Sequence, residues 1–380
     1  MVEHRPEEAG VPGSSPGPST RMFQNILAWI QARERHLSAL AMVAGFIVDN
    51  LFFERVDLWQ TQMVFASYIA VCFIAIPLLQ WVESRQLSVP RFRLILQFAT
   101  QFALGGFWSG FVIFYGRSAV FGVSWPFLLF LLIVFLGSEY FYKYHARLVF
   151  TSVLFFFALY SYSIFALPIY VGTISTAIFL VSGLVAVGVF ALFTILLRIL
   201  IRERLQPDVW RIRFGAFCVL TLINIFYFTN ILPPLPLSAK AGGVYHSVWH
   251  VPGAYLANDE TSQTWRVRYL GFSPTLHVTP GESLYAYGSV FAPTSLETTI
   301  VHHWQWYDSV KKEWTTKAKI TYPIVGGRDG GYRGYSHMPV SDEGKWRVDI
   351  ETVDGRIITR LPFTVEQVTS SFSTETITLK

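Results

Sequence analysis

The chain has 380 residues, 52% apolar, 17% aromatic and only 14% charged, with a positive mean hydropathy; this excludes an ordinary soluble composition, in which about a quarter of residues are charged. Residues 1–239 carry 16 Lys and Arg against 11 Asp and Glu, whereas residues 240–380 carry 14 of each. A basic excess confined to segments between apolar runs points to membrane orientation and not to a nucleic-acid partner.

Residues 1–20 (MVEHRPEEAGVPGSSPGPST), rich in Pro, Gly, Ser and Glu, read as a disordered tail without a cleavable-signal pattern. Residues 21–35 read as an interfacial helix, with Met22, Phe23, Ile26, Leu27 and Ile30 at helical spacing. A seven-helix transmembrane domain is predicted over 37–233, with apolar runs at 37–53, 62–82, 94–116, 119–138, 148–168, 172–197 and 214–233, most of them close to the roughly 20 residues a crossing needs. Pro77 and Pro126 interrupt two of these runs, which membrane helices tolerate. Both cysteines, Cys72 and Cys218, lie in apolar runs, so no disulfide staples the C-terminal part.

Orientation follows from Lys and Arg in short loops. Arg21, Arg33 and Arg35, then Arg85, Arg91 and Arg93, then Lys143 and Arg147, then Arg198, Arg202, Arg204, Arg211 and Arg213 fall in alternate connections, 13 in all. The remaining connections hold only Arg55 and Arg117. This split places the N-terminus in the cytoplasm, and seven crossings then put everything after Leu232 outside it. Residues 234–242, within PPLPLSAKAGG (233–243), read as a short, stiff, Pro-rich linker.

Residues 243–380 break into eight strand-like runs, at 243–251, 264–272, 283–292, 298–308, 314–323, 331–338, 344–353 and 356–366, with Asp329-Gly330 and Asp354-Gly355 as hairpin-type turns. Short strands at regular spacing predict an all-β, antiparallel sandwich of immunoglobulin-like build. The glycine-rich GGRDGGYRG (326–334) lacks the Lys-Ser/Thr ending and following helix of a phosphate loop, and reads as a flexible hairpin.

HHW (302–304), GGYRGYS (330–336) and GKWRVDIETVDGRIITRLPFTV (344–365) resemble the bacterial domain of unknown function 2914. Its His-x-Trp, Arg-x-x-Ser and Gly-x-Trp-x-Val strands match His302, Trp304, Arg333, Ser336, Gly344, Trp346 and Val348. The helical half is similar to that of the multi-span members in GFIVDNLFFERVD (45–57), GSEYFYKYHARLVF (137–150) and PPLPLSAKAGGVYHSV (233–248). The resemblance implies a bacterial membrane protein with no assigned activity, and so no catalytic residues to carry over.

The candidate site residues divide into three groups. On a strand, neighbours face opposite sides, so His302, Trp304 and Trp306 share one face and His303 the other. His246 and His250 could join either histidine in a zinc or copper site, although no cysteine reinforces it; the structural alternative is that Trp304 fills the core and His302 hydrogen-bonds within it. Trp306, Trp314 and Trp265 are the tryptophans freest to form a surface that stacks on an envelope glycan or protein. Asp49, Asn50 and Glu139 are the polar groups singled out in the membrane part; Asp49 and Glu139 lie at opposite interfaces, so interface anchoring, with Arg55 as a partner, competes with a transport pathway through Asp49. No catalytic motif is present, so the chain reads as a non-enzyme. The expectation is a protein of the bacterial cytoplasmic membrane whose exported β-domain is a binding or interaction module, with a transporter and a membrane sensor as alternatives.

Overall fold

The computed structural model describes residues 46–261 and 273–379, apart from 48, 54, 120, 141–147, 295, 329, 370–372 and the side chains of 121–123 and 138–140. Residues Asp49–Lys380 form one compact unit. The tail 1–20, the helix 21–35, most of the run 37–53, the run 264–272 with Trp265, Asp329 and the Glu139 side chain lie outside the described residues.

Among the described residues, after a partly described helical stretch at 46–52, six helices precede the sheets: α1 (Trp59–Ser84), α2 (Pro90–Ser118), α3 (Phe121–Tyr140), α4 (Leu148–Val171), α5 (Thr176–Leu205) and α6 (Val209–Phe228). All but α3 are long and apolar enough to cross a membrane, by length and composition; within α3 the apolar stretch is Ser124–Gly137. Pro90 starts α2 where its missing N–H costs nothing, and Ser175 caps α5 by accepting from the Ile178 N–H at 3.3 Å. The loop expected to carry five arginines shrinks to Gln206–Asp208. Arg198 extends α5, Arg202 and Arg204 continue it beyond a kink at Ile201 (φ −136°, ψ 40°), and Arg211 and Arg213 begin α6, arginine being a good helix former.

The helices pack around aromatic rings. Phe65 of α1 is fully buried and stacks on Phe53, Phe111 and Tyr162 at 5.5–5.8 Å. Gly106 and Gly110 of α2 make this approach possible, since a Cβ at either would collide with Tyr68 or Phe65; small residues four apart let helices meet backbone to backbone. Large apolar side chains remain on the outside, among them Leu184 (71% exposed), Ile199 (74%) and Phe217 (62%). At one end of the helices Glu83 pairs with Arg93 (3.3 Å) and Arg204 (2.9 Å); the other end meets the sheets.

Among the described residues eleven strands follow: β1 (Ser238–Tyr245), β2 (Ser247–Val251), β3 (Ala254–Glu260), β4 (Thr275–Val278), β5 (Ser283–Phe291), β6 (Glu297–Asp308), β7 (Glu313–Val325), β8 (Tyr332–Pro339), β9 (Gly344–Thr352), β10 (Ile357–Gln367) and β11 (Thr374–Leu379). They form three sheets, ordered β1-β5-β8, β4-β10-β9-β6-β7 and β11-β3-β2. Inner residues of the first two share a core: Val244, Leu284 and Ala286 meet Leu276, Trp304, Trp346, Val348 and Phe363. The other face of β5 is covered as well, Tyr287 clustering with Val248, Ala257 and Leu379 of the third sheet. The three-stranded sheet of β1, β5 and β8 therefore lies between the other two.

Four sequence expectations change. The run 243–251 splits into β1 and β2 at a bend on His246. β4 pairs with β10 in parallel, so the pairing is not wholly antiparallel. The glycine-rich segment is no hairpin, because β7 and β8 belong to different sheets. It is pinned by Gly326 N–H to Leu296 O (2.9 Å) and Ser289 Oγ to Gly330 O (2.6 Å).

The linker 234–242 is not a spacer. Residues 232–237 are buried, and strand β1 begins at Ser238. Three of these six are prolines without an N–H, while the Leu235 and Leu237 N–H groups donate to Pro233 O (2.9 Å) and Pro234 O (3.0 Å). A segment with so few donors can be buried at little cost. Around it the sheets dock on the helices: Ser118 Oγ donates to Leu237 O, the Glu297 N–H to Gly172 O (3.1 Å), and the Thr176 N–H to Asp354 Oδ2 (3.2 Å).

Trp304 is fully buried between the two facing sheets. Trp304→Ala should lower full-chain stability by about 3–5 kcal/mol, measured as thermal unfolding in detergent; a loss under about 1 kcal/mol would contradict the packing described.

Candidate functional site

Strand β6 separates its two histidines as alternation requires. His302 points inward: its Nδ1 lies 2.8 Å from Ser336 Oγ, and its Nε2 lies 3.0 Å from Tyr322 Oη. Trp304 Nε1 donates to the same Ser336 Oγ at 3.0 Å. Burial pushes the His302 imidazole down to about 4, so it stays neutral, one ring nitrogen donating and the other accepting. His302, Trp304 and Ser336 thus form one closed polar contact inside the core.

His303 faces outward, into a charged lattice over β6, β9 and β10. Its Nδ1 accepts from Gln305 Nε2 (3.0 Å) and lies 3.2 Å from Glu351 Oε1. Arg347 Nη2 donates to Gln305 Oε1 (2.7 Å), and Arg360 grips Asp349 with two bonds of 2.7 and 2.8 Å. Burial, and then the Lys319 charge, hold His303 below its ordinary value, while burial raises Glu351.

His246 occupies a third environment. Its Nε2 lies 2.9 Å from Glu260 Oε1 and its Nδ1 2.8 Å from Glu282 Oε1. Glu260 also accepts from the His277 N–H (2.6 Å) and lies 2.9 Å from His277 Nδ1. Burial alone would lower the His246 pKa, but the two carboxylates outweigh it and raise it. The Glu260 carboxyl, which burial would raise, is drawn down to about 2 by His246 and His277. The arrangement clasps β1, β3, β4 and the turn before β5 around a doubly bonded imidazolium.

His250 stands apart on β2, 4.8 Å from the Tyr255 ring. The four candidate histidines therefore do not converge, each taken up by its own surroundings. Among the described residues no group of three or more His, Cys, Asp or Glu is placed to hold a metal ion.

The tryptophans also separate. Trp346 donates to Asp342 O (2.9 Å) from within the core, on a strand that Gly344 opens at φ +102°, a conformation favouring glycine. Arg333 stands opposite Ser289 in the β5–β8 register. Trp306 is partly buried, with its N–H on Glu343 O (2.9 Å) and Lys317, at the β6–β7 bulge, 4.7 Å over its ring. Trp314 remains 37% exposed, with Arg347 over its ring at 4.1 Å and Tyr307 at 5.2 Å.

Among the helices, Asn50 is held by Arg117, whose Nη2 donates to its Oδ1 at 2.9 Å. Arg55 pairs not with Asp49 but with Asp57 (2.6 Å), and stacks over Phe291 of β5 at 5.2 Å. Asp49 is half-buried, and its carbonyl accepts from Phe53 N–H. Sequence reasoning missed Glu260, Glu282, Asp349 and Arg356, whose partners are distant in sequence. Asp349, next to Val348 of the Gly-x-Trp-x-Val strand, and Arg356, just after the Asp354-Gly355 turn, sit beside motifs that mark their places.

The family described as Protein of unknown function (DUF2914) matches residues 297–365, which is β6 to β10 and contains both facing halves of the His302–Ser336 contact. No curated protein matches the chain. One solved structure, Pseudomonas fluorescens alkylpurine DNA glycosylase AlkC bound to DNA containing an abasic site analog, covers 74% of this chain and 82% of its own at 11% identity. Its TM-score is 0.23, so the likeness carries no argument about fold or function.

The clasp has a pH signature. The raised His246 pKa gives stability that is full below its ordinary 6.5 and lost as pH rises through the folded value. The depressed Glu260 gives stability that is full above its ordinary 4.5 and lost as pH falls toward about 2. The gap in unfolding midpoint between wild type and His246→Gln should therefore be widest between pH 4.5 and 6.5 and narrow on either side. A gap independent of pH would mean that His246 is not charged in the folded protein.

Proposed function

We propose that the chain is a seven-span protein of the bacterial cytoplasmic membrane, N-terminus inside, whose C-terminal β-domain is an extracytoplasmic interaction module for an envelope glycan or protein. The carrying observation is the direction of the strands. Glu297 at the start of β6 bonds to the helix end at Gly172, as do Asp354 and Thr294 to Thr176 and Asp57. Tyr307, Trp314, Val310 (89% exposed), Lys311 and Lys312 gather at the opposite end, around the β6–β7 turn. An aromatic and basic tip turned away from the helices is suited to meeting a partner. Exposed Leu184, Ile199 and Phe217 support the membrane reading, since apolar surface on helices of this length suits contact with lipid.

Sensing is the second reading, favoured by the buried connection at Leu232–Leu237, through which a change at the sheets would reach the helices. Nothing specific favours transport through Asp49.

Two measurements test the proposal. A reporter fused after Lys380 should be active only when exported; activity in the cytoplasm alone would refute the topology. Full-length protein in detergent should be retained on insoluble cell-wall glycan, and Trp314→Ala with Arg347→Ala should lower its apparent affinity about tenfold. Equal retention of variant and wild type would remove the tip as the binding surface.

A further inference from the structure

Beside the third sheet, a strip of aromatic side chains runs across the middle one. On β8, Arg333, Tyr335 and His337 share the face opposite Ser336, and they stand across from Ser289, Tyr287 and Tyr285 of β5. On the third sheet, His250 of β2 stands across from Tyr255 of β3. The rings follow one another: His250 lies 4.8 Å from Tyr255, Tyr255 6.3 Å from Tyr335, Tyr335 6.2 Å from Tyr285, and Tyr285 5.2 Å from His337. Tyr287, 5.7 Å from Tyr255, is buried where the two sheets pack. The strip continues past that packing onto β2 and β8, both edge strands. Tyr335 is 41% exposed, and His250 and His337 are exposed as well.

Packing accounts for the rings but not for their polar ends. Among the described residues no hydrogen bond or ion pair engages the phenols of Tyr255, Tyr285 and Tyr335, the imidazoles of His250 and His337, or the Arg333 guanidinium. Strands β2, β5 and β8 contain no Asp or Glu, so the strands that build most of the strip offer Arg333 no carboxylate. Tyrosine supplies a rigid ring with a polar edge and loses little rotamer freedom on contact. A protein partner that dried the strip would strand most of these donors and acceptors, at a cost for each. A sugar brings hydroxyls to them and lays its C–H faces on the rings.

We propose that this strip binds an acidic glycan. Its pyranose rings lie on Tyr335, Tyr285 and Tyr255, its hydroxyls bond to the phenols and to His250 and His337, and a carboxylate accepts from Arg333. A carboxylate matches the planar fork of a guanidinium; a neutral glucan has none to offer. The strip lies on the opposite side of the middle sheet from the sheet that carries Trp314. Only the source of the glycan in the envelope rests on the interaction-module reading.

The test titrates the full chain, in a detergent without a sugar head group, with oligogalacturonate, a neutral glucan oligomer and polyglutamate, and reads binding by calorimetry. Saturable binding of oligogalacturonate is expected, with the other two at least about tenfold weaker. Tyr335→Ala and Arg333→Gln should each weaken it about tenfold; Arg333→Lys should lose less than Arg333→Gln, and Tyr335→Phe less than Tyr335→Ala. Arg333 makes no bond in the fold, so its variants remain informative if Tyr335→Ala does not fold. Absence of binding, an equal response to the glucan, or unchanged affinity in Arg333→Gln would overturn the proposal. Polyglutamate bound as tightly as oligogalacturonate would overturn the glycan in favour of an acidic peptide. Retention on cell-wall glycan is tested with other variants and another ligand, so either reading can fail without the other.

Discussion

Everything above the helices depends on how one short backbone segment is buried. Leu232 to Leu237 passes from α6 to β1 without reaching solvent, which a polar loop could not do without stranding its amides. Proline removes three of those amides, and the two leucine N–H groups find partners within the segment. Arg356 then reaches back from the β9–β10 turn to accept responsibility for a carbonyl at its start, Leu232 O. Sheets and helices are consequently one body and not two tethered ones.

The same economy explains the two arginines that depart from the charge pattern. Arg55 and Arg117 lie on the side where the pattern is otherwise free of basic residues. Arg55 joins Asp57 and lies over Phe291, so it ties a helix connection to β5. Arg117 closes the end of α2 on Asn50 and on the Phe53 carbonyl. Each exception serves a local contact.

Hydropathy located six of the described helices because each is a long, nearly charge-free apolar run. Alternation placed His302 and Trp304 on one side of β6 and His303 on the other, as found. Three features were illegible for physical reasons. Prolines between leucines look like a linker by composition, yet their lack of donors is what permits burial. β3, with Asn258, Asp259 and Glu260 in succession, lacks strand character in its residue types; its acidic end is stabilised by histidines far along the chain. The third sheet depends on Tyr287 offering a second apolar face on β5, and no local pattern in β2 or β11 announces that partner. For the site, the histidines were visible as residues, but which groups neutralise or desolvate them is a tertiary property.

The length of β6 has a consequence of its own. Its first residue bonds to the helix end at Gly172, and the strand continues for 12 residues to Asp308. At about 3.3 Å per residue this spans ~40 Å. Because the base is fixed and not hinged, that length acts as a ruler: under the membrane reading it sets a standoff at which the Trp314 tip is held. A partner embedded flush with the bilayer would fall short of it, and one tethered to a more distant layer would be met at a constant height.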